Sequence, residues 1–361
     1  MIVQYHPIRN ILSVMLLATL IINALIFFAG GFTANNNGFN RKIENVSLPR
    51  ISWIKKPQNI TSISTVTKDH IYFQTTIPGK LIIVDHHLTD PQCVSIPYPS
   101  DQKTASLFYT IIDSPGIYLL AGNKGTIAHA NLHNKTFYNY SFKLPVFTRT
   151  VFIPPATFII RGYETSSIKP DQVFMKINTA SSLLQREKNL SEKKRDAGIT
   201  TDGLLQYDSS VHLLIYTFFY SNNIICFDTS LQLIYKAHTI DTTNAYQIQT
   251  GSIGTETEKV FTNTMPSRIV NWESDVSDGK LYINSWMKAD NESIPQFNNN
   301  SVIDVYDIIS GAYKKSFYVP FFRGEKMESF KVYKNEVIAI YKDYITVLAK
   351  PFKCRISKTL R

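Results

Sequence analysis

The sequence contains few cysteines and no recognisable arrangement of them. Cys93, Cys226 and Cys354 lie far apart, and neither a CxxC pair nor a paired histidine spacing accompanies them. This excludes the usual structural zinc sites. Two interpretations stay open: three small buried apolar side chains, or one disulfide and one leftover thiol in an oxidising compartment.

Short catalytic signatures are also missing. The chain has no G-x-S-x-G elbow, no H-E-x-x-H helix, no P-loop and no G-x-G-x-x-G turn. The enzyme classes defined by those motifs are therefore not supported.

Charge is sparse, at 18% of residues, whereas 44% are hydrophobic and 42 residues are Phe or Tyr. Such a chain is neither disordered nor collagen-like, and its content of aromatic residues, Asn, Ser and Thr is typical of an extracytoplasmic β protein. The net charge is +10, but the basic residues are scattered and no nucleic-acid-binding motif accompanies them. We therefore expect no nucleic-acid partner.

The N-terminal region contains one long uncharged run, residues 11–32 after a flank of residues 1–10. A helix of that length reaches across a hydrocarbon core of about 30 Å, so the sequence predicts a retained transmembrane anchor. A cleaved signal peptide is the alternative, because Ala29, Gly30 and Gly31 form a small-residue site. The polar, turn-rich residues 33–60 are expected to be a linker.

From residue 61 to residue 361 the pattern consists of short β-type runs divided by turn residues. Six units can be aligned, each with an aromatic-rich run followed by a β-branched run. They are 70–73 with 80–85, 116–120 with 125–130, 156–160 with 172–177, 212–216 with 223–228, 279–284 with 301–307, and 335–341 with 344–348. Small sheets with two apolar faces bury both by stacking around an axis.

The sequence thus predicts an all-β, six-bladed β-propeller at about 50 residues per unit, with a sandwich pair or a large barrel as competitors. Ring closure would bring the first and last repeats together, which makes Cys93 and Cys354 the candidate disulfide.

Several short sequence segments resemble those of an uncharacterised family of Gram-negative envelope proteins, which is similar to six-bladed TolB-like propellers. They are residues 201–207, 215–222, 238–242, 270–271, 300–307 and 316–320. The resemblance implies a propeller in the cell envelope, either held at the inner membrane with the propeller in the periplasm or exported. It implies no activity.

Polar residues near predicted strand ends are the candidates for a ligand site at the mouth of the central channel. They are Asp202, His238, Asp241, Asn271, Glu273 and Asp304. Such oxygen ligands suit Ca²⁺, as in the lactonase-type propeller hydrolases that the fold resembles. The alternative is that they form turns and strand caps, with Asp202-Gly203 and Asp278-Gly279 as turn formers.

Two functions follow from these expectations. The first is an anchored or exported propeller that binds a partner protein or small ligand without catalysis and without a cofactor. The second is a Ca²⁺-dependent hydrolase, which requires at least three of the candidate oxygen ligands to converge.

Overall fold

The computed structural model describes residues 7–28, 37–44, 48–96, 108–131, 136–139, 144–163, 171–255 and 259–350. Their elements are α1 (Pro7–Phe28), β1 (Arg50–Lys55), β2 (Ile60–Val66), β3 (Ile71–Thr75), β4 (Lys80–Val84), β5 (Gln92–Ser95), β6 (Phe108–Asp113), β7 (Gly116–Ala121), β8 (Thr126–Asn131), β9 (Phe137–Asn139), β10 (Phe147–Ile153), β11 (Thr157–Tyr163), β12 (Gln172–Asn178), β13 (Leu183–Arg186), β14 (Gly203–Asp208), β15 (Leu213–Phe218), β16 (Asn223–Asp228), β17 (Leu233–His238), β18 (Thr250–Gly254), β19 (Lys259–Asn263), β20 (Asn271–Ser277), β21 (Lys280–Ser285), α2 (Ile294–Asn298), β22 (Asn300–Asp307), β23 (Tyr313–Pro320), β24 (Ser329–Tyr333), β25 (Glu336–Ile340) and β26 (Tyr344–Ala349).

Six four-stranded antiparallel sheets form the body of the protein. Five are built from consecutive strands, β2–β5, β6–β9, β10–β13, β14–β17 and β20–β23, and the sixth combines β24, β25 and β26 with β1. The first strands of neighbouring sheets pack against one another, and the ring closes where β24 meets β2. The predicted six-bladed β-propeller is therefore confirmed.

The two predicted runs of each unit overlap the second and third strands of one blade. These strands are buried on both faces, so apolar residues follow one another without alternation, as in β7 and β25. The predicted turn at Asp278-Gly279 is a two-residue hairpin loop between β20 and β21, with φ of 53° and 71° at the two positions. Positive φ at both central residues is the reason Asp-Gly is favoured there.

The N-terminal side of the chain completes the ring. β1 pairs with β26 as the outer strand of the sixth blade, although residues 33–60 read as a linker in the sequence. A segment just before it, residues 37–44, packs against the fifth blade, where Ile43 bridges to Ser316. The propeller therefore begins before residue 61, because its last sheet needs a strand from the other end of the chain.

Each of the six blade interfaces contains one hydrophobic cluster. Between the third and fourth blades, for example, Phe174 packs against Tyr216 and Phe227 with ring centroids about 5 Å apart. The other five interfaces hold equivalent clusters of buried aromatic and branched side chains. The high Phe and Tyr content thus fills the spaces between blades, where buried rings contribute most to stability.

The first strand of every blade lines the central axis, and these six strands run in the same direction. We call the end at which they begin the upper face and the end at which they finish the lower face. Loops between the second and third strands, and between one blade and the next, lie on the upper face. There β18 and β19 form a separate two-stranded sheet between the fourth and fifth blades.

Helix α1 precedes the ring, and its described side chains, from residue 10 to residue 24, are exposed. Two polar residues in it bond to the helix's own backbone: Thr19 Oγ1 donates to Met15 O, and Asn23 Nδ2 donates to Thr19 O, both at 2.8 Å. In the described part of the chain, no helix is long and apolar enough to span a membrane. The anchor predicted over residues 11–32 stays a prediction.

Candidate functional site

A central cavity of about 1140 Å³ runs along the axis between the six inner strands. Hydroxyl and amide side chains form much of its wall, and several of them tie neighbouring blades together. Gln74 bonds to the backbone of both Phe108 and Thr110 on the next blade, and Gln206 Nε2 donates to Ser274 O at 2.6 Å. The wall therefore mixes polar and apolar side chains, and hydrogen bonds hold it in place from blade to blade.

Glu273, on the inner strand β20, lines this cavity without a salt-bridge partner. Among the described residues it forms no ion pair within 4 Å, and one of its oxygens accepts only a long bond, 3.3 Å, from the Ser274 N–H. Burial raises the pKa of Glu273 to about 7, against the opposing effect of Lys331. At neutral pH this carboxyl is thus divided between its charged and neutral forms.

Lys331 and Asp275 form the first of two ion pairs beside Glu273. Lys331 Nζ lies 2.7 Å from Asp275 Oδ1, and the Val332 N–H donates to the other oxygen at 2.7 Å. Burial alone would lower the pKa of Lys331, but Asp275 and Glu273 together outweigh it and raise that pKa. The lysine is therefore charged and already neutralised by its partner.

Arg149 and Asp202 form the second pair, where β10 meets the start of β14. Arg149 Nη2 donates to Asp202 Oδ2 at 2.8 Å, and its Nε donates to Gly203 O at 2.6 Å. Burial by itself would lower the pKa of Arg149, but Asp202 raises it. The buried Arg161 reaches the other Asp202 oxygen at 3.3 Å. We call Glu273 and these two pairs, Lys331–Asp275 and Arg149–Asp202, the cavity cluster.

The six residues predicted as a ligand set do not converge on one site: Glu273 lines the cavity, Asp202 belongs to the cavity cluster beside it, and the other four lie elsewhere. His238 ends the outer strand β17, with its Nδ1 3.3 Å from Asn222 Oδ1. Asp241 accepts bonds from the Thr239 hydroxyl and from the Thr243 N–H, so it shapes its own loop. Asn271 is buried and donates to the carbonyls of Phe218 and Ser221. A role for any of them in ligand binding stays a prediction.

Asp304 lies on the third strand of its blade, beneath the N-terminal segment. Arg41 enters from that segment and contacts both Asp304 and Glu292, with side chains that have at most 1% of their surface exposed. Ser285, Ser316 and Tyr318 supply further hydrogen bonds to the three charged groups. Burial opposes the charge of Arg41, but the two carboxylates outweigh it and raise its pKa. We call Arg41, Glu292 and Asp304 the sealed cluster.

Within the described ranges, no three His, Cys, Asp or Glu side chains lie close enough together to hold a metal ion. The convergence required for a Ca²⁺ hydrolase site is absent from this part of the protein, because Asp202, Asp241 and Asp304 each bond to different partners. The predicted disulfide also stays a prediction. Among the described residues, Cys93 is exposed and forms no disulfide and Cys226 is a buried thiol, whereas Cys354 lies outside the described residues.

Sequence reasoning missed Arg149, Asp275 and Lys331. Each stands inside an inner strand, in FTRTVFI, NWESDVS and SFKVY. A charged residue inside a short β-type run was the available signal, because an inner strand turns alternate side chains toward the axis.

No family model matches this sequence, and no curated protein matches it. Among solved structures it is similar to a member of the DUF4221 family from Bacteroides vulgatus, with 12% identity and a TM-score of 0.54 over 84% of this chain and 97% of that one. It is also similar to BamB from Moraxella catarrhalis, with 13% identity and a TM-score of 0.43 over 86% and 99% of the two chains. A streptogramin B lyase gives 12% identity and a TM-score of 0.46 over 84% and 99%.

The ring of blades and its axial cavity define the protein as a six-bladed β-propeller. The similarity to the DUF4221 member supports that fold and, at this level of identity, the fold alone.

Proposed function

We propose that this protein is a membrane-tethered propeller of the cell envelope that binds, without catalysing a reaction, a small ligand bearing a protonated amine. The binding site is the upper part of the central cavity, beside Glu273. Glu273 carries the proposal, since its carboxylate lines the cavity with no ion pair among the described residues, whereas the cavity cations Lys331 and Arg149 already have carboxylate partners.

The energetics of Glu273 favour a cationic ligand. A carboxyl whose pKa is raised to about 7 by burial is costly to ionise in the empty cavity. An ammonium group placed beside it would supply the missing counter-charge and draw the carboxyl into its charged form. Hydroxyls on other inner strands, such as those of Thr150 and Ser329, are available to bind the polar remainder of a ligand.

The proposed tether is α1, with the sequence before and after it. The uncharged run of residues 11–32 and the exposed aliphatic side chains of the helix, such as Leu16 and Ile21, suit a lipid environment. The polar groups of Thr19 and Asn23 are satisfied by the helix backbone, as lipid requires of them.

Amine binding can be tested by thermal shift and calorimetry on the full chain with arginine, putrescine and glucosamine as probes. We expect at least one to raise Tm at pH 8, since a ligand at about 100 times its Kd stabilises the native state by about 2.7 kcal/mol. The shift should weaken below pH 7, because protonation of Glu273 removes the charge that the amine needs.

A pair of variants in the same cavity provides the control. Glu273→Gln should abolish the shift, whereas Asp278→Asn, at the lower end of the cavity wall, should preserve it. Asn tolerates the positive φ of position 278, so the control variant keeps the turn. The proposal fails if no amine binds, or if Glu273→Gln binds as tightly as the unmodified protein.

A further inference from the structure

The chain reaches the propeller from α1 at the upper face. Asn37 donates from its backbone N–H to Asp290 Oδ1 at 2.7 Å and from its side chain to Lys288 O at 2.8 Å. Its own carbonyl accepts a bond from Thr242 Oγ1 at 2.5 Å. From Phe28, the last residue of α1, to Asn37 the chain spans at most about 30 Å. The upper face is therefore held within that distance of the end of the helix.

The three tryptophans of the chain also lie on the upper face or at its rim. Trp53 is 41% exposed, and the Arg323 guanidinium lies 4.2 Å from its ring centroid. Trp272 and Trp286 stack with centroids 4.4 Å apart, and Lys326 Nζ lies 4.5 Å from the Trp286 ring. Tryptophan accompanied by Arg or Lys is the composition found where proteins meet the membrane–water interface.

The sheet of β18 and β19 adds exposed apolar side chains on the same side. Ile253 and Val260 face each other across its two strands and are 72% and 68% exposed, and Met265 just beyond is 55% exposed. A two-stranded sheet that leaves its apolar pair in water gains little stability from it, so the pair is suited to a second surface.

The lower face has a different composition. It is formed mostly by short turns rich in aspartate, and it carries no tryptophan. The aspartates at strand ends and in turns on this side are Asp69, Asp85, Asp90, Asp113, Asp208, Asp228, Asp278 and Asp307. Asp208 is buried, and Lys68, Lys280, Lys314 and Lys334 stand in or beside the same turns, so this face differs from the upper one in its lack of tryptophan rather than in its charge.

We propose that the upper face rests on the lipid surface, with Trp53 and the apolar pair Ile253 and Val260 at the interface. The occupant is lipid because the tether emerges at this face, the three tryptophans are gathered there, and cations lie beside two of them. The inference rests on the membrane tether of the proposed function and deepens it: the upper mouth of the cavity then opens toward the membrane.

The test uses the full chain reconstituted in vesicles of phosphatidylcholine with phosphatidylglycerol. Lipids brominated along the acyl chain quench tryptophan that reaches the interface. We expect loss of emission in the unmodified protein and a smaller loss in Trp53→Phe. Adding Ile253→Trp to Trp53→Phe should restore strong quenching, and position 253 is exposed enough to accept tryptophan without disturbing the core.

The matched control places the probe on the opposite face. Ile309, 67% exposed in the lower turn between β22 and β23, is replaced by Trp in the Trp53→Phe background. This tryptophan should keep its emission in brominated vesicles. Equal quenching of tryptophan at positions 253 and 309, or no quenching at position 253, overturns the inference.

Vesicle flotation separates this inference from the rest of the proposal. If the chain floats with the vesicles but tryptophans at positions 53 and 253 are not quenched, the tether is supported and the proposed orientation is wrong. If the chain does not float, both the tether and the orientation are wrong. Amine binding in the cavity is measured independently of these two results.

Discussion

The sealed cluster and the cavity cluster contain the same kinds of groups in opposite surroundings. In the sealed cluster, Arg41, Glu292 and Asp304 have almost no exposed side-chain surface. In the cavity cluster, the side chains of Arg149, Asp202 and Lys331 keep 25 to 29% of theirs, whereas Asp275 keeps only 6%. Both clusters contain cations paired with carboxylates.

The two clusters differ in whether every charged group has a partner within the protein. The Ser316 and Tyr318 hydroxyls and the Ala289 N–H donate to the carboxylates of the sealed cluster, and Arg41 donates to the Ser285 hydroxyl, so no site is open to another molecule. The cavity cluster leaves Glu273 without an ionic partner among the described residues, next to an open volume. A cluster whose charged groups all have partners within the protein indicates a structural role. A carboxylate without an ionic partner beside a cavity indicates a binding role.

The largest expected effect tests the sealed cluster. Arg41→Met removes the cation and leaves two buried carboxylates uncompensated, which costs about 3–5 kcal/mol in the free energy of unfolding. Urea denaturation measures this loss. Lys42→Met is the control, since that neighbouring side chain is exposed and the change should stay within about 0.5 kcal/mol. If the two variants lose the same free energy of unfolding, the sealed cluster does not have the proposed structural role.

A smaller and opposite effect is expected in the cavity cluster. The folded pKa of Glu273, about 7, lies above its ordinary value, so the native state binds the proton more tightly and stability falls as pH rises from about 4.5 to 7. Glutamine does not ionise, so Glu273→Gln does not lose stability as the pH rises. At pH 8 its free energy of unfolding should exceed that of the unmodified protein by on the order of 1 kcal/mol, after allowance for solvent in the cavity.

At pH 4.5 the carboxyl of Glu273 is neutral in the native protein, and the gain from Glu273→Gln should nearly vanish. Urea denaturation of both proteins at the two pH values measures the difference. A gain that is the same at pH 4.5 and pH 8 would show that the ionisation of Glu273 is not its source.

The smallest expected effect concerns calcium. Because no three His, Cys, Asp or Glu side chains of the described residues lie close enough together to hold a metal ion, titration with millimolar Ca²⁺ should leave Tm unchanged. A rise of several degrees would mean that oxygen ligands converge after all, and it would return the hydrolase to consideration. Substituting Asp202, Asp241 and Asp304 one at a time by Asn would then identify the ligands.

The sequence predicted the middle strands of the blades and missed most inner and outer ones, for a physical reason. A strand covered on both faces, such as β7, needs bulky apolar residues in succession, and such a run stands out. The outer strand β13 is exposed along its length and the inner strand β24 alternates around Lys331, so neither resembles a core strand. The residues of β1 were predicted to be part of a linker because their partner strand β26 lies near the other end of the chain.

The site was harder to predict than the fold. Glu273 was found because it lies near a strand end, but the same criterion selected Asp304, whose partner Arg41 is 263 residues away in sequence. Local pattern indicates which residues are polar and near turns. Only the closed ring determines which of them face the axis, as Glu273 does, and which lie beneath another segment, as Asp304 does.

Closure of the ring by β1 also affects how the protein is made. β1 leaves the ribosome early, but the β26 residue that pairs with Lys55 is synthesised 289 residues later. At about 5–20 residues per second, this strand waits about 15–60 s for its partner. During that interval it is an unpaired edge, flanked by Arg50 and Lys55, whose charges discourage pairing with other chains. The first strand made is the last to pair, so an incomplete chain cannot close the propeller.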